Sequence, residues 1–338
     1  MNNPQKQLGL ASEVLAILRC PACERTLRLK DETLVCEGCE RVFPAVRGVR
    51  RFVEKQNYAG SFGFQWHRHA QTQLDDADHT GSESDFRRRT GFTPNELQGK
   101  LVLDVGCGMG RFADVANRWG ANVVGVDLSA AAEVAAQNLG HRSGVAFFQA
   151  DAFALPFAPE SFDVIYSLGV LHHTPDCEKA FKGLTKFLKP GGTIAIWLYS
   201  GYNKWYRFSD IYRKFTHRLS PEVLHRLCYL AVPKYHVYRG LRAIPVVGRP
   251  MSGLLQHIFP SSLHPNSHIR VLDTFDWYSP KYQSKHTYEE VFRWFESCGL
   301  ESLQIANQPI SVRGRKPVKS IEAAAPPERW SKSGSLVR

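Results

Sequence analysis

The chain has 338 residues, 43% of them apolar and 22% charged, with a formal net charge of +11. That is the composition of a globular protein with room for two domains and an ample core. The polar N-terminus, the break of Leu8 to Leu18 by Ser12 and Glu13, and the lack of a bilayer-length apolar run argue against a secretory leader or a spanning helix. A cytoplasmic protein with reduced cysteines is the expectation.

Residues 8–53 read as a small module of their own. Cys20-Pro21-Ala22-Cys23 and Cys36-Glu37-Gly38-Cys39 are two C-x2-C pairs separated by twelve residues. Each pair presents two thiolates to one tetrahedral metal, and a hairpin between them brings the halves together. The gap supplies that hairpin: Thr26 to Leu29 alternates, Lys30 to Thr33 turns, and Leu34-Val35 returns. Four thiolates leave no open position, so Cys20, Cys23, Cys36 and Cys39 predict a structural zinc. Its loss is expected to unfold the module and leave the rest in place. With Phe43-Pro44-Ala45-Val46-Arg47-Gly48-Val49 following, the module resembles the zinc ribbon of the methyltransferase-activator family, and also that of the rRNA guanine methyltransferases.

Residues 54–100 form a linker with covering helices. Phe62-Gly63-Phe64-Gln65-Trp66 is an aromatic cluster, and a helix from Glu83 carries Phe86 and Arg87-Arg88-Arg89. Phe64 and Trp66 either line a site or pack on a sheet edge.

Residues 101–316 carry the pattern of an open α/β sheet. An apolar strand from Leu101 bears Asp104 near its end, and glycine then takes positions Gly106, Gly108 and Gly110. Phe112, Val115, Ala116 and Trp119 recur at helical spacing, and Gly120 closes the helix. A bare loop lets the backbone approach a ligand, and the helix N-terminus offers N–H groups to its charge. The dinucleotide fingerprint places its third glycine one position later, so this loop departs from it. Asn122 to Asp127 is a second strand. Asp127 lies seventeen positions after Gly110, near the separation at which an acid meets ribose hydroxyls.

Leu128-Ser129 should open the next helix with Ser129 as cap. Val145 to Ala152 is the third strand with its exit, and Ser161 to Ser167 the fourth. Leu168 to His172 lead off its carboxyl end, where ligands bind in such sheets. Thr174-Pro175 reads as an N-cap and first helical residue. Lys189 to Gly192 turns into a fifth strand, Thr193 to Leu198. Residues 202–285 then interrupt the sheet as a largely helical insertion with breaks at Pro233, Pro245, Pro250 and Pro260. A Thr287-x-x-Glu290 capping box opens the last helix, which Gly299 ends, and Leu300 to Ala306 and Ile310 to Lys316 close the sheet as an antiparallel pair. Residues 317–338 read as a disordered tail.

The acid–glycine loop, Asp127, Asp151 with Leu155-Pro156-Phe157, and the turn Leu188 to Thr193 together resemble the class I S-adenosylmethionine (SAM)-dependent methyltransferases, with a catalytic domain similar to the ubiquinone/menaquinone methyltransferases. The resemblance implies an α/β, Rossmann-like sheet and a SAM site. Its residues would be Asp104, Gly106, Cys107, Gly108, Gly110, Asp127, Leu128, Asp151, Ala152, Ser167 and Leu168. By the same resemblance Asp151 accepts from the adenine amino group, and a helix before the first strand covers the cofactor. The expected reaction is in-line displacement of an activated methyl, where the enzyme supplies alignment and a dry pocket. His172 and His173, just past the fourth strand, are the candidate base.

Tyr202 to Ser252 holds ten cations against Asp210 and Glu222, a surplus of eight in a chain of net charge +11. One reading makes the insertion a lid for a small-molecule acceptor such as a sugar or natural-product precursor, anionic to suit the arginines. Trp205, Tyr206, Phe208, Ile211, Tyr212 and Phe215 mixed with cations also suit a lipid-linked acceptor at a membrane surface. RNA, with the ribbon as adaptor, is the alternative acceptor, and a SAM-binding module without turnover is the non-enzyme alternative.

Overall fold

The computed structural model describes residues 11–30, 33–54, 57–75, 81–202 and 206–318. Asp31 and Glu32 of the expected turn, Trp205 of the aromatic group, and the tail from Lys319 lie outside them. A short helix α1 (Ala11–Ile17) leads into the cysteine module, whose strands β1 (Leu27–Lys30), β2 (Thr33–Cys36) and β3 (Val42–Phe43) form an antiparallel sheet. The hairpin β4 (Ala45–Val46) and β5 (Val49–Arg51) follows.

Helices α2 (Gly60–Arg68), α3 (Gly81–Thr90) and α4 (Pro94–Leu97) precede the main sheet. That sheet then runs β6 (Leu101–Val105), α5 (Arg111–Arg118), β7 (Asn122–Asp127), α6 (Ala131–Leu139), β8 (Val145–Gln149), β9 (Phe162–Leu168), α7 (Cys177–Leu184) and β10 (Leu188–Trp197). Among its described residues the insertion has the helices α8 (Tyr206–Thr216), α9 (Pro221–Cys228), α10 (Ala231–Arg242), α11 (Gly248–Ile258) and α12 (Ser267–Tyr278). Helix α13 (Tyr288–Ser297) and the pair β11 (Glu301–Ile305) and β12 (Ser311–Arg315) complete the chain. Among the described residues no helix is long and apolar enough to cross a membrane.

The nine-stranded sheet has the order β11-β12-β10-β9-β6-β7-β8-β5-β4. Strands β10, β9, β6, β7 and β8 are parallel, and β12 runs antiparallel against β10. The chain starts at β6, moves outward to β8, then returns to the other side of β6 as β9. That reversal opens a crevice at the carboxyl ends of β6 and its neighbours.

The cysteine module is not separate from this sheet. Its strand β5 pairs in parallel with β8, with Arg50 opposite Phe148 and Arg51 opposite Gln149. An uncovered β8 edge would leave a row of backbone groups unpaired, and β5 fills it. Phe43, Phe52, Phe148, Phe157 and Phe162 form a chain of ring contacts with successive centroids 4.8, 6.0, 6.0 and 5.1 Å apart. One core therefore runs from Cys20 and Leu34 through Phe148 to Ile194.

Three local readings change. Helix α7 is capped by Asp176, whose carboxylate accepts from Lys179 N–H (2.9 Å), while the Thr174 hydroxyl donates to the Leu171 carbonyl (2.7 Å). Carboxylate and helix dipole favour Asp176 over a threonine two residues earlier. Lys189 to Gly192 is a bulge within β10, held by reciprocal bonds with Lys316 (2.8 and 2.9 Å). Pro233 and Pro250 lie in the first turns of α10 and α11, where N–H groups have no intrahelical partner, so neither breaks its helix.

Candidate active site and metal centre

Strand β6 ends at the glycine loop, which β7 holds in place. Gly106 and Cys107 N–H donate to the Val126 carbonyl (2.7 and 3.0 Å), and Gly108 N–H donates to Asp127 Oδ2 (3.0 Å). Gly106 has φ +81°, and a Cβ there would lie 2.3 Å from the Val170 methyls. At Gly108, φ +54°, a Cβ would lie 3.1 Å from the Trp66 ring. Both positions need glycine, for backbone conformation and for space.

Above the loop lies a cavity open to solvent on one side. Gly106, Cys107, Gly108, Asp127, Leu128, Asp151, Ala152 and Leu168 line it together. Asp104, Gly110 and Ser167 do not reach its wall. Asp104 is buried behind the loop, accepting from the Tyr166 hydroxyl (3.1 Å), and burial pushes its carboxyl up to about 8. Gly110 packs on Leu139 as the N-cap of α5, and Ser167 donates to the Val105 carbonyl (2.9 Å).

The Asp127 oxygens are partly engaged. Oδ1 accepts from Ser129 N–H and Oγ (2.8 and 2.7 Å), and Oδ2 accepts only from Gly108. Oδ2 therefore keeps acceptor capacity that these bonds leave unused. Ser129 does not cap through the helix proper; its Oγ accepts from Ala131 N–H at 3.1 Å.

Helix α2 covers the loop, bringing Phe62, Gln65 and Trp66 to the wall. The Gln65 side-chain oxygen is buried without a hydrogen-bond partner, an acceptor that a ligand N–H or O–H would satisfy. Phe64 points away from the cavity and packs on Phe275 and His225 of the insertion. Sequence patterning left these two aromatic roles open.

The far side of the cavity is polar. His173, Tyr199, Arg89, Arg111, Asp273 and Asp276 meet there. The Tyr199 hydroxyl donates to Asp276 (2.5 Å) and the Ser262 hydroxyl to Asp273 (2.9 Å). Burial pushes the Asp273 carboxyl up to about 6. Arg89 lies over the Trp197 ring at 4.1 Å. The insertion thus contributes Leu272, Asp273 and Asp276 to the cavity, two acids rather than its many cations. Asp273 and Asp276 share one face of α12 by their three-residue spacing. That signal was present in the sequence, hidden by the stronger basic composition around it.

The two histidines separate. His173 lies on the wall, and its Nδ1 is 3.1 Å from the Tyr282 carbonyl, an acceptor only. The proton therefore sits on Nδ1, and Nε2 keeps a lone pair without a protein partner. His172 is fully buried off the wall and stacked on Tyr199 at 3.9 Å, with neither ring nitrogen hydrogen-bonded. Burial holds both imidazoles below their ordinary value of 6.5.

A methyltransferase-domain family model matches residues 103–196, and a Trm112p-like protein model matches residues 12–48. The ubiquinone biosynthesis O-methyltransferase of Pseudomonas fluorescens (strain SBW25) is 32% identical over 168 residues, 48% of this chain and 72% of that protein. The chain belongs to the class I SAM-dependent methyltransferases. Methyltransferase GfsG of Streptomyces halstedii is 40% identical to it over 103 residues, 29% of this chain and 37% of that protein. Among solved structures, the magnesium protoporphyrin IX methyltransferase of Synechocystis with bound SAH is 14% identical, with a TM-score of 0.44 over 77% of this chain and 96% of that one.

A second candidate site lies in the cysteine module. The four sulfurs of Cys20, Cys23, Cys36 and Cys39 lie within 4.8 Å of one another. Tetrahedral zinc–sulfur bonds of about 2.3 Å place sulfurs roughly 3.8 Å apart, so the donor set fits a four-thiolate ion. All four are free thiols. Burial opposes ionisation at Cys36, yet N–H groups of Cys39 and Gly38 (3.4 and 3.3 Å) bring its thiol down to about 6.

Proposed function

We propose that this methyltransferase moves the SAM methyl to a hydroxyl oxygen of a small polar acceptor, with a structural zinc in the ribbon. The observation that carries the reading is a single cavity with two chemically distinct halves. The glycine loop, Asp127 and Asp151 form one half, and His173, Tyr199, Asp273 and Asp276 form the other. Relatives named as ubiquinone biosynthesis O-methyltransferases support oxygen as the acceptor atom.

When bound, SAM supplies a methyl already activated by its sulfonium, so the chain's residues have to align, desolvate and deprotonate. The Asp127 carboxylate would hold the ribose hydroxyls, and Asp151 and Ala152 would meet the adenine. His173 Nε2 takes the acceptor proton, while the Tyr282 carbonyl fixes its tautomer and orientation. Asp273 and Asp276 accept from further hydroxyls of the acceptor, and Arg89 balances their charge.

Asp276→Asn is expected to raise the acceptor KM about tenfold, as one charge-assisted bond is weakened, and to leave SAH affinity within about twofold. Steady-state kinetics and calorimetry check the two halves separately. The acceptor class is tested by incubating the protein with methyl-labelled SAM and fractionated cell extract. Label in low-molecular-mass, O-methylated product supports the proposal. Label in RNA instead rejects it.

A further inference from the structure

Within the insertion α8, α9 and α10 pack on α12 and α11 packs on α10, and these helices turn further apolar side chains to solvent. On α8, Ile211 and Phe215 lie four residues apart, with Leu219 four beyond; they are 50%, 69% and 40% exposed. Val223 and Leu227 continue the pattern along α9, with Leu230 just beyond it, and Met251, Leu254 and Ile258 repeat it on α11, all exposed. The rows of α8 and α11 adjoin: the Tyr212 hydroxyl donates to the Ile258 carbonyl (2.7 Å), joining α8 to the end of α11, which packs on α10. At the tip between α10 and α11, Val246 is 95% exposed with φ +63°. A β-branched side chain is strained there, where glycine or asparagine sits without penalty. Single exposed apolar residues are ordinary, but adjoining rows mark an interaction face.

The same helices expose Lys214, Arg218, Arg226, Arg239, Arg242 and Arg249, with Glu222 the one exposed acid among the described residues 206–258. We propose that α8 to α11 form an interfacial surface that docks on a bilayer rich in anionic headgroups. The apolar rows enter the acyl boundary while the cations meet the headgroups, and the short helices lie in the interface without crossing it. Nucleic acid would use the cations and leave the apolar rows in water. A second copy of the chain would set cations against cations. The surface stands whichever acceptor the cavity takes.

The test is co-sedimentation of the full chain with phosphatidylcholine vesicles, with and without phosphatidylglycerol. Binding should be at least about tenfold stronger with the anionic lipid and fall as salt rises. Val246→Asp with Leu254→Asp, both exposed, should weaken it about tenfold or more, and Arg239→Glu with Arg242→Glu should remove the preference for phosphatidylglycerol. SAH affinity unchanged in these variants shows that the fold persists. Vesicle binding that is absent, or equal for both lipids and all variants, overturns the proposal. So does a dimer that the Val246→Asp and Leu254→Asp variant dissolves, or RNA binding without vesicle binding.

Discussion

Cys36→Ser is expected to remove the metal and destabilise the catalytic sheet along with the ribbon. Structural zinc contributes about 10–16 kcal/mol of apparent binding energy to small metal-folded modules, so the ribbon does not survive its loss. Read from sequence, that failure would stop at residue 53. The shared core changes the outcome. Phe43 and Phe52 pack through Phe148 into the sheet, β5 covers the β8 edge, and Arg47 and Arg51 pair with buried Glu133 of α6. Losing even about 3 kcal/mol of that packing lowers Tm by roughly 6–12 °C for a domain of this size. Elemental analysis of protein purified without added metal should give about one zinc per chain, and thermal melts should show the variant's lower Tm. A variant that lost zinc but melted with the parent would show the ribbon to be energetically separate.

His173→Ala is expected to lower turnover by roughly 10²–10⁴-fold, the usual contribution of a positioned general base. His172→Phe should be nearly neutral, because its ring nitrogens have no hydrogen-bond partners and its role is stacking on Tyr199. The pH profile supplies the second readout. Burial lowers the His173 pKa, with Asp276 and the Tyr282 carbonyl opposing and Arg213 assisting. Neutral imidazole is the working form and persists above that lowered value. The acid limb of kcat/KM should therefore fall below pH 6.5, not at it. Equal losses in both variants would assign the pair a packing role.

The parallel strands and the glycine loop were legible because each writes a local pattern. Leu101 to Leu103 is an apolar run that ends in Asp104, and Gly106 and Gly108 sit where only glycine fits. The capping box at Thr287 was equally local, with both of its hydrogen bonds formed. What escaped depended on distant chain. Nothing in Ala45 to Arg51 announces β8 as its partner, since a two- or three-residue strand has too little period to read. Ser167 and Asp104 belong to the motif yet stand behind the wall, because strand alternation turns their side chains inward. The acceptor half was least legible. Asp273 and Asp276 are distant in sequence from Arg89 and His173, and only the folded insertion brings them together.

The central claim is that the glycine-loop half of the cavity binds SAM through its backbone and Asp127. Calorimetric titration with SAH of the parent chain and of Asp127→Ala tests it most directly. Saturable binding by the parent is expected, weakened in the variant by about 1–3 kcal/mol, or roughly 5- to 150-fold in Kd. An Asp127→Ala variant that bound SAH as tightly as the parent, or a parent that bound NAD and not SAH, would contradict it.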